Sequence, residues 1–448
     1  MEEYRWARRQ RHAFSNFVSA QFLDRSRLST QPTSPANSAT NANPPTGFLA
    51  SFHYRSFRFQ WTSDGMYNSG QEMEALMLSW FILTETGSPF LVGLLGALRF
   101  GGTLGGPFYG LLGDRMDRRK LLIMNRGLIA LLASVTFLLA FTDLFEAWHA
   151  FVIALLLGAG RMMDNVVRQS LIADVVPRVN LLNAVGLSRT MQDGAKIAGA
   201  IAGGVLLARL GLGNAYIIVI GLYASATLIA LGISIAERTS TAKAKNPLSD
   251  LKSGLTYIKD NDAIVGMMFL AMLVNLTTFP MTNGLMPVMA RDVFNSDEEG
   301  LAALLSAAAI GAALGSVSLA ALGRTRRSGR VMLIGIVVWH LAILVLAQVE
   351  SFPVALVVLV VVGACSSASM VSMSALLLTT TNTQFRGRVM GVRSLAVWTL
   401  QPGLLFGGYM AGRFDIAFTF TVMGILGLVL VAFAIIRWPG IWRDVPNA

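Results

Sequence analysis

A short charged string stands between two long apolar runs in this sequence: Gly110-Leu-Leu-Gly-Asp114-Arg115-Met-Asp117-Arg118-Arg119-Lys120. A glycine-rich apolar stretch, 89–112, precedes it, and another, 121–141, follows it. Each run is long enough to cross a bilayer as a helix, which takes about 20 residues. The turn between them therefore lies at one membrane face. Of the 448 residues, 54% are hydrophobic and 14% charged, where soluble domains carry about 25% charge. A chain this apolar uses lipid as a solvent, and lipid admits only helices or a closed barrel as spanning forms. Barrel strands are alternating segments of about ten residues, whereas these runs are longer and continuous. The expected class is an all-α, polytopic membrane protein. About twelve helical spans can be read: 57–83, 89–112, 121–141, 148–172, 182–209, 213–236, 263–290, 300–322, 331–348, 353–378, 389–411 and 414–437.

The net charge of +11 is arranged by connection, and that arrangement argues against nucleic acid as a partner. Every second connection is basic. The 112–121 turn carries Arg115, Arg118, Arg119 and Lys120; the 172–182 turn carries Arg178. The central loop 237–262 carries Arg238, Lys243, Lys245, Lys252 and Lys259. The 323–330 and 379–388 turns carry Arg324, Arg326, Arg327, Arg330, Arg386 and Arg388. The other turns hold only Arg209, Arg291 and Arg413 among acids such as Glu85, Glu146, Asp297, Glu298 and Glu350. Loops rich in Lys and Arg stay in the cytoplasm. Both termini are then cytoplasmic and the span count is even.

Residues 1–55 differ from the rest. A basic stretch with interspersed aromatics, 1–28, has no uninterrupted apolar core and does not read as a signal peptide. It reads either as an interfacial amphipathic helix or as a disordered tail. Residues 29–47, rich in Ser, Thr, Pro and Asn, read as a linker. The single cysteine, Cys365, falls in a span, so no disulfide forms within the chain.

The two halves resemble each other. At an offset of 210, Gly101, Gly105, Gly113 and Lys120 meet Gly311, Gly315, Gly323 and Arg330. At an offset of 204, Arg189, Gly199, Gly203, Gly204 and Arg209 meet Arg393, Gly403, Gly407, Gly408 and Arg413. These glycines fall in the second and fifth spans of each half. A duplicated six-span unit in parallel orientation is a transporter architecture with its site between the halves. The expected organisation is a tail (1–55), an N-terminal bundle (56–236), a linker (237–262), a C-terminal bundle (263–438) and a tail (439–448).

The string Gly110-x-x-x-Asp114-Arg115-x-Asp117-Arg118-Arg119 resembles the signature between the second and third spans of the major facilitator superfamily, with Asp117 in place of its usual Gly. Four further strings resemble the bacterial exporter branch that includes macrolide-efflux and enterobactin-exporter-like proteins. They are Trp80-Phe-Ile-Leu-Thr-Glu-Thr-Gly87-Ser88-Pro89, Asp164-Asn-Val-Val-Arg168-Gln169-Ser170, Val176-Pro177-Arg178 with Asn183-Ala184, and Phe385-Arg386-Gly387-Arg388-Val389-Met390. The resemblance covers roughly 56–440. It implies two pseudo-symmetric six-helix bundles, with the first, fourth and fifth spans lining a central path. It also implies that Asp114 joins the halves as an inner-face latch. Gly110 and Arg115 belong to that latch, Arg118 and Asp174 orient Asp114, and the N-terminus of the eleventh span near Arg388 receives it. The fifth span, with Gly194, Gly199, Gly203 and Gly204, resembles the superfamily's antiporter-associated motif, but Ala200 stands where that motif has proline.

Ionisable groups inside a span are costly unless paired or hydrated, so each is a functional candidate. They crowd the first half. On the first span Asp64, Tyr67, Gln71 and Glu74 share one helical face, and Glu72 lies on another with Asn68 and Ser79. Arg161, Asp164 and Arg168 form a stripe on the fourth span; Arg189, Asp193 and Lys196 form one on the fifth. A carboxylate in low dielectric takes up a proton that a nearby cation drives off. Glu72, Glu74 and Asp193 are the proton-coupling candidates, with Arg161 and Lys196 as switching partners. The competing reading is a set of static ion pairs holding helices together. Tyr67, Gln71, Asp164 and Arg189 are candidates for the cavity wall in the first half; Asn275, Asn283, Trp398 and Gln401 are those of the second. Pro280 and Pro287 should bend the seventh span. His340 falls on the ninth span, which the resemblance makes peripheral.

The expected function is a secondary active transporter, a proton-coupled antiporter exporting amphipathic small molecules from the bacterial cytoplasmic membrane. Its expected partners are the small molecule, protons and membrane lipids, and it is expected to be monomeric, with no cofactor. An importer or lipid flippase of the same fold is one alternative; a non-transporting receptor or scaffold is another. No Gly-x-x-x-x-Gly-Lys-Ser/Thr string is present. Neither metal-ligand nor Ser/His/Asp spacing suggests an enzyme.

Overall fold

The computed structural model describes residues 47, 49–105, 109, 112, 116–234, 247–321, 328–382 and 384–442, all within one compact unit, Pro45–Ala448. Among the described residues every regular element is helical. The helices are α1 (Arg55–Thr86), α2 (Pro89–Gly101), α3 (Arg118–Phe141), α4 (Ala147–Val175), α5 (Leu181–Ala230) and α6 (Pro247–Lys259). They continue with α7 (Asp262–Thr277), α8 (Phe279–Asn283), α9 (Met286–Asp292), α10 (Glu298–Ala321) and α11 (Ser328–Leu346). The chain closes with α12 (Phe352–Thr380), α13 (Arg386–Leu395), α14 (Leu400–Arg413) and α15 (Ile416–Arg437). The basic tail before residue 47 and three residues expected to form the latch, Gly110, Asp114 and Arg115, lie outside the described residues.

Among the described residues seven helices are long and apolar enough to cross a membrane: α3, α4, α5, α10, α11, α12 and α15. The helix α5 accounts for two of the predicted spans. Its hydrogen-bonded run is broken at Gly211, whose φ of 71° and ψ of 172° place it where a side chain is rarely tolerated. The first predicted span is α1, whose polar and charged residues keep its hydropathy below that of the seven. The second is α2 followed by a 3₁₀ segment, Gly102–Gly105. The seventh is split into α7, α8 and α9, with Pro280 and Pro287 each in the first turn of a piece, as their missing N–H groups require. The eleventh is interrupted too, by a 3₁₀ turn at Ala396–Thr399. Pro402 supplies no N–H to the carbonyl of Trp398, which disfavours a continuous α-helix there. With Ala200 in place of proline, α5 stays helical up to Gly211.

Local chemistry sets several ends. Gly87, at φ 64°, terminates α1. Ser88 caps α2 through the amide of Leu91. Asp117, the departure from the superfamily signature, caps α3 by accepting from the amides of Arg119 and Lys120, a contact worth about 1 kcal/mol. The linker is not wholly a loop. Its α6 docks on α13, with Tyr257 stacked on Phe385 at 4.4 Å and Ile258 buried.

The side-chain pattern is inverted relative to a soluble bundle. On α3, Met124, Leu128, Leu131, Val135 and Leu138 form a stripe 42–60% exposed. The opposite face buries Asn125, Arg126 and Thr136. Apolar outside and polar inside is the partition lipid imposes.

The repeated glycines mark the helix seams, and they do so in both halves. A Cβ at Gly199 would lie 2.8 Å from the Ser69 carbonyl, and one at Gly203 would lie 3.1 Å from Met73 Cα, both on α1. At the equivalent places, Gly403 faces the Leu276 carbonyl at 2.4 Å and Gly407 faces Leu285 and Met281 at 3.0 Å. Their neighbours Gly204 and Gly408 instead face the opposite half. Gly204 would meet Ala302 at 2.4 Å on α10, and Gly408 would meet the Pro89 carbonyl at 2.9 Å at the start of α2. Two related seams therefore join the halves, α5 to α10 and α2 to α14. Absent side chains let the backbones approach this closely.

Candidate functional site

Between these seams lies a cavity of about 380 Å³, within the range that holds drug-sized ligands. Its α1 wall is Glu72, Ala75, Leu76 and Ser79, one stripe of steps of three and four. Arg99 of α2, Arg161 of α4 and Lys196 of α5 line it beside them. The opposite wall carries Asn275, Phe279, Thr282, Asn283, Met286 and Pro287, with Leu305, Ala308 and Val362 beyond. The break between α8 and α9 therefore borders the cavity. Glu72, its side chain 24% exposed, lies 3.9 Å from Arg99 Nη2 and 3.7 Å from Arg161 Nη2. Arg99 also donates to the Gln71 carbonyl at 3.3 Å, and Arg161 lies over the Phe100 ring at 5.6 Å.

Glu74, two residues on, points the other way. Its two oxygens accept from Tyr223 at 2.7 Å and from Tyr216 at 3.2 Å. A pocket of about 20 Å³, the size of one water, adjoins it and is lined also by Gln71, Arg99, Arg161 and Tyr223. Arg99 and Arg161 thus form a common wall, with the cavity carboxylate Glu72 on one side and the enclosed carboxylate Glu74 on the other.

A second ionic group is closed to the cavity. Arg126 is fully buried. It donates to Asp164 Oδ1 at 2.8 Å, to Asp64 Oδ1 at 2.6 Å and to Ser63 Oγ, and it lies over the Tyr67 ring at 4.8 Å. Arg168 adds a contact to Asp164 at 3.7 Å. Here static pairing describes the arrangement: two carboxylates and two guanidiniums join α1, α3 and α4.

The halves meet on one side of the cavity. Trp80 Nε1 donates to Glu298 Oε1 at 2.8 Å, and Arg291 Nη1 to the Leu83 carbonyl at 2.8 Å. Arg209 lies 4.0 Å from Glu299, both exposed. Deeper, Gln401 donates to the Phe100 carbonyl at 3.0 Å and to Thr103 Oγ1 at 3.2 Å.

The predicted site residues divide accordingly. The cavity gathers Glu72, Arg161, Lys196, Asn275 and Asn283. Tyr67 and Asp164, expected in its wall, belong to the Arg126 group, and Gln71 faces the small pocket beside Glu74. Both α1 stripes were legible; the one bearing Glu72 and Ser79 faces the cavity, because the Tyr67 stripe packs into the N-terminal helices. Arg189, 62% exposed, pairs with Asp193 one turn on at 3.5 Å, and neither lines the cavity. Trp398 is 39% exposed and outside the wall. Gln401 spans the two halves without lining it. Arg118 Nη1 donates to Asp174 Oδ2 at 2.9 Å. His340 sits between α7 and α11, at 2.9 Å from Thr277 Oγ1. Tyr216 and Tyr223 are absent from the sequence-based candidates; Trp80 stood there only in an exporter-like string, Glu298 only as a turn acid and Arg99 only as one ionisable residue within a span. The seven-residue spacing of the two tyrosines, one face over two turns, was the available signal.

Known proteins resemble this chain in sequence and in fold. The chain is 24% identical over 262 residues to macrolide efflux protein A of Streptococcus pyogenes, a match covering 57% of this chain and 63% of that protein. It is 23% identical over 381 residues to the multidrug efflux pump Tap of Mycolicibacterium fortuitum, covering 82% and 92%. Among solved structures, the nucleoside transporter NupG superposes with a TM-score of 0.72 at 13% identity, covering 86% of this chain and 99% of that one. A bacterial homologue of the human lysosomal transporter Spinster, inward-facing and unoccupied, superposes with a TM-score of 0.69 at 14% identity, covering 88% and 99%. At such identities the structural likeness is one of fold. The sequence pattern of the Major Facilitator Superfamily matches residues 69–400 and again 268–447; the chain belongs to that superfamily.

Proposed function

We propose that this protein is a secondary active transporter that exports amphipathic small molecules by alternating access, driven by proton exchange. The observation that carries the reading is Glu72, a partly exposed carboxylate in the cavity, held at 3.7 and 3.9 Å by Arg161 and Arg99. Those distances are longer than tight ion pairs, so repacking of α2 or α4 can release the carboxylate. Released, it takes a proton; clamped again, it gives the proton up. Glu74 sits behind the same two arginines and senses the same rearrangement.

The bundles 56–236 and 263–438 are the rocking bodies of this reading. With the basic connections and both termini in the cytoplasm, the seam of Trp80 and Glu298 lies outside and the cavity is sealed outward. In this reading the latch that the resemblance assigns to Gly110, Asp114 and Arg115 belongs to the inner side, and Arg118 is held by Asp174 at 2.9 Å.

Proteoliposomes with an imposed pH gradient test the reading, with ethidium, erythromycin and anilinonaphthalene sulfonate as probes. Antiport predicts probe accumulation in acid-loaded vesicles. Accumulation only with acid outside assigns an importer instead, and no gradient-dependent flux of any probe contradicts proton-driven transport.

A further inference from the structure

The charged residues of the N-terminal helices pair off unevenly. Arg126 and Arg168 match Asp64 and Asp164; Arg189 matches Asp193; Arg118 matches Asp174. The charged residues that line the cavity and the small pocket behind it are Arg99, Arg161 and Lys196 against Glu72, which shares the cavity, and Glu74, which is enclosed behind it. One cation is therefore in surplus even with both glutamates ionised. Among the described residues Lys196 makes no ion pair. Among the described residues the facing wall offers no counter-charge. Its polar groups there are the amides of Asn275 and Asn283 and the hydroxyls of Thr282 and Ser366, set among apolar side chains.

Resting on the transport reading above, we propose that the cargo carries one anionic group, a carboxylate, sulfonate or phosphate ester, on an apolar body. The anion sits between Lys196 and the arginines that hold Glu72, and the body lies against Phe279, Met286 and Val362. Three features support this. A cation withdrawn from water costs several kcal/mol unless a counter-charge meets it. Three cations from three separate helices line the cavity beside one carboxylate. The charged and apolar walls also stand on opposite halves, so a cargo with both characters bridges them. A positively charged cargo would meet net repulsion on this wall, with Glu72 already engaged.

The test uses full-length protein in detergent and two fluorescent probes with one body. Anilinonaphthalene sulfonate carries a sulfonate; N-phenyl-1-naphthylamine lacks it. The proposal predicts that the sulfonate binds at least tenfold tighter than the neutral probe. Lys196→Met should lose roughly that factor, the yield of one charge-assisted contact, while binding of N-phenyl-1-naphthylamine shifts less than twofold. Lys196→Arg should restore sulfonate binding, which separates lost charge from lost folding. Equal binding of the two probes to the wild-type protein, or equal losses in Lys196→Met, would overturn the proposal. The gradient experiment separates the two levels. Flux of ethidium and erythromycin with sulfonate excluded would overturn the anionic cargo and leave the transporter standing. Sulfonate binding that depends on Lys196, without any gradient-driven flux, would sustain the anion site and overturn proton-driven transport.

Discussion

The indole N–H of Trp80 donates to the carboxylate of Glu298 across 2.8 Å, tying the end of α1 to the first turn of α10. The two residues are 218 positions apart, so the bond joins the halves rather than neighbours in the chain. A hydrogen bond to a charged group contributes about 1.5–3 kcal/mol, which is enough to shift a two-state equilibrium about 10-fold or more. Trp80→Phe should therefore enlarge the population open on this face. Spin labels at the exposed positions Glu85 and Glu350 report it by pulsed distance measurement. A longer-distance component is expected in the variant; an unchanged distribution denies the contact a gating role.

The glycine seam makes a sharper mechanical prediction. Gly204→Val would drive a Cβ to 2.4 Å from Ala302 and 2.6 Å from the Glu298 carbonyl, and backbone cannot yield there. The variant should fold, fail to close α5 on α10 and lose most gradient-driven flux. Gly194→Ala, on the same helix with open space around it, is the control. It removes the cost of a helical glycine, about 1 kcal/mol, and should keep wild-type flux.

Arg126 is structural in this account. Arg126→Met leaves Asp64 and Asp164 buried without the guanidinium they share. Breaking a buried group of this kind costs about 3–5 kcal/mol. Arg189→Met removes the exposed partner of a pair whose carboxylate, Asp193, is buried; with the guanidinium largely in solvent the cost should be smaller, about 1 kcal/mol. Thermal unfolding followed by size-exclusion chromatography should show a large loss of monodisperse protein in the first variant and little in the second. Comparable losses would contradict the division between the buried Arg126 cluster and the half-exposed Arg189 pair.

Glu74 is positioned by two hydroxyls of unequal strength. The Tyr223 bond is 2.7 Å and the Tyr216 bond 3.2 Å, so Tyr223→Phe should have the larger effect. The expected result is a displaced pH profile of gradient-driven flux, with roughly tenfold lower rate at its optimum, and unaltered exchange of labelled for unlabelled probe. Equal effects of the two variants on both readouts would make the tyrosines mere packing.

The spans, the break near Gly211 and the fracture at Pro280 and Pro287 were legible because hydrophobic length and missing N–H groups act locally. So were the two polar stripes of α1. Which stripe meets the cavity was not legible, because the answer depends on what α3, α4 and α5 present to α1. Arg126 decided it: by drawing Asp64 and Asp164 inward and covering Tyr67, it left the Glu72 stripe for the cavity. Pairings such as Trp80 with Glu298, or Glu74 with Tyr216 and Tyr223, join residues more than a hundred positions apart, and helical periodicity says nothing about them. The repeated glycines were visible as a pattern. Their division into seams within a half and seams between halves came only with the packing.

The most direct test of proton drive compares the wild-type protein with Glu72→Gln, Glu74→Gln and Asp193→Asn in acid-loaded proteoliposomes. Flux with the gradient is measured against probe exchange without it. Glu72→Gln and Glu74→Gln should lose gradient dependence by tenfold or more while exchange persists. Asp193→Asn, outside the cavity and already paired with Arg189, should stay close to wild type. Undiminished gradient dependence in both glutamate variants would contradict proton drive through this site.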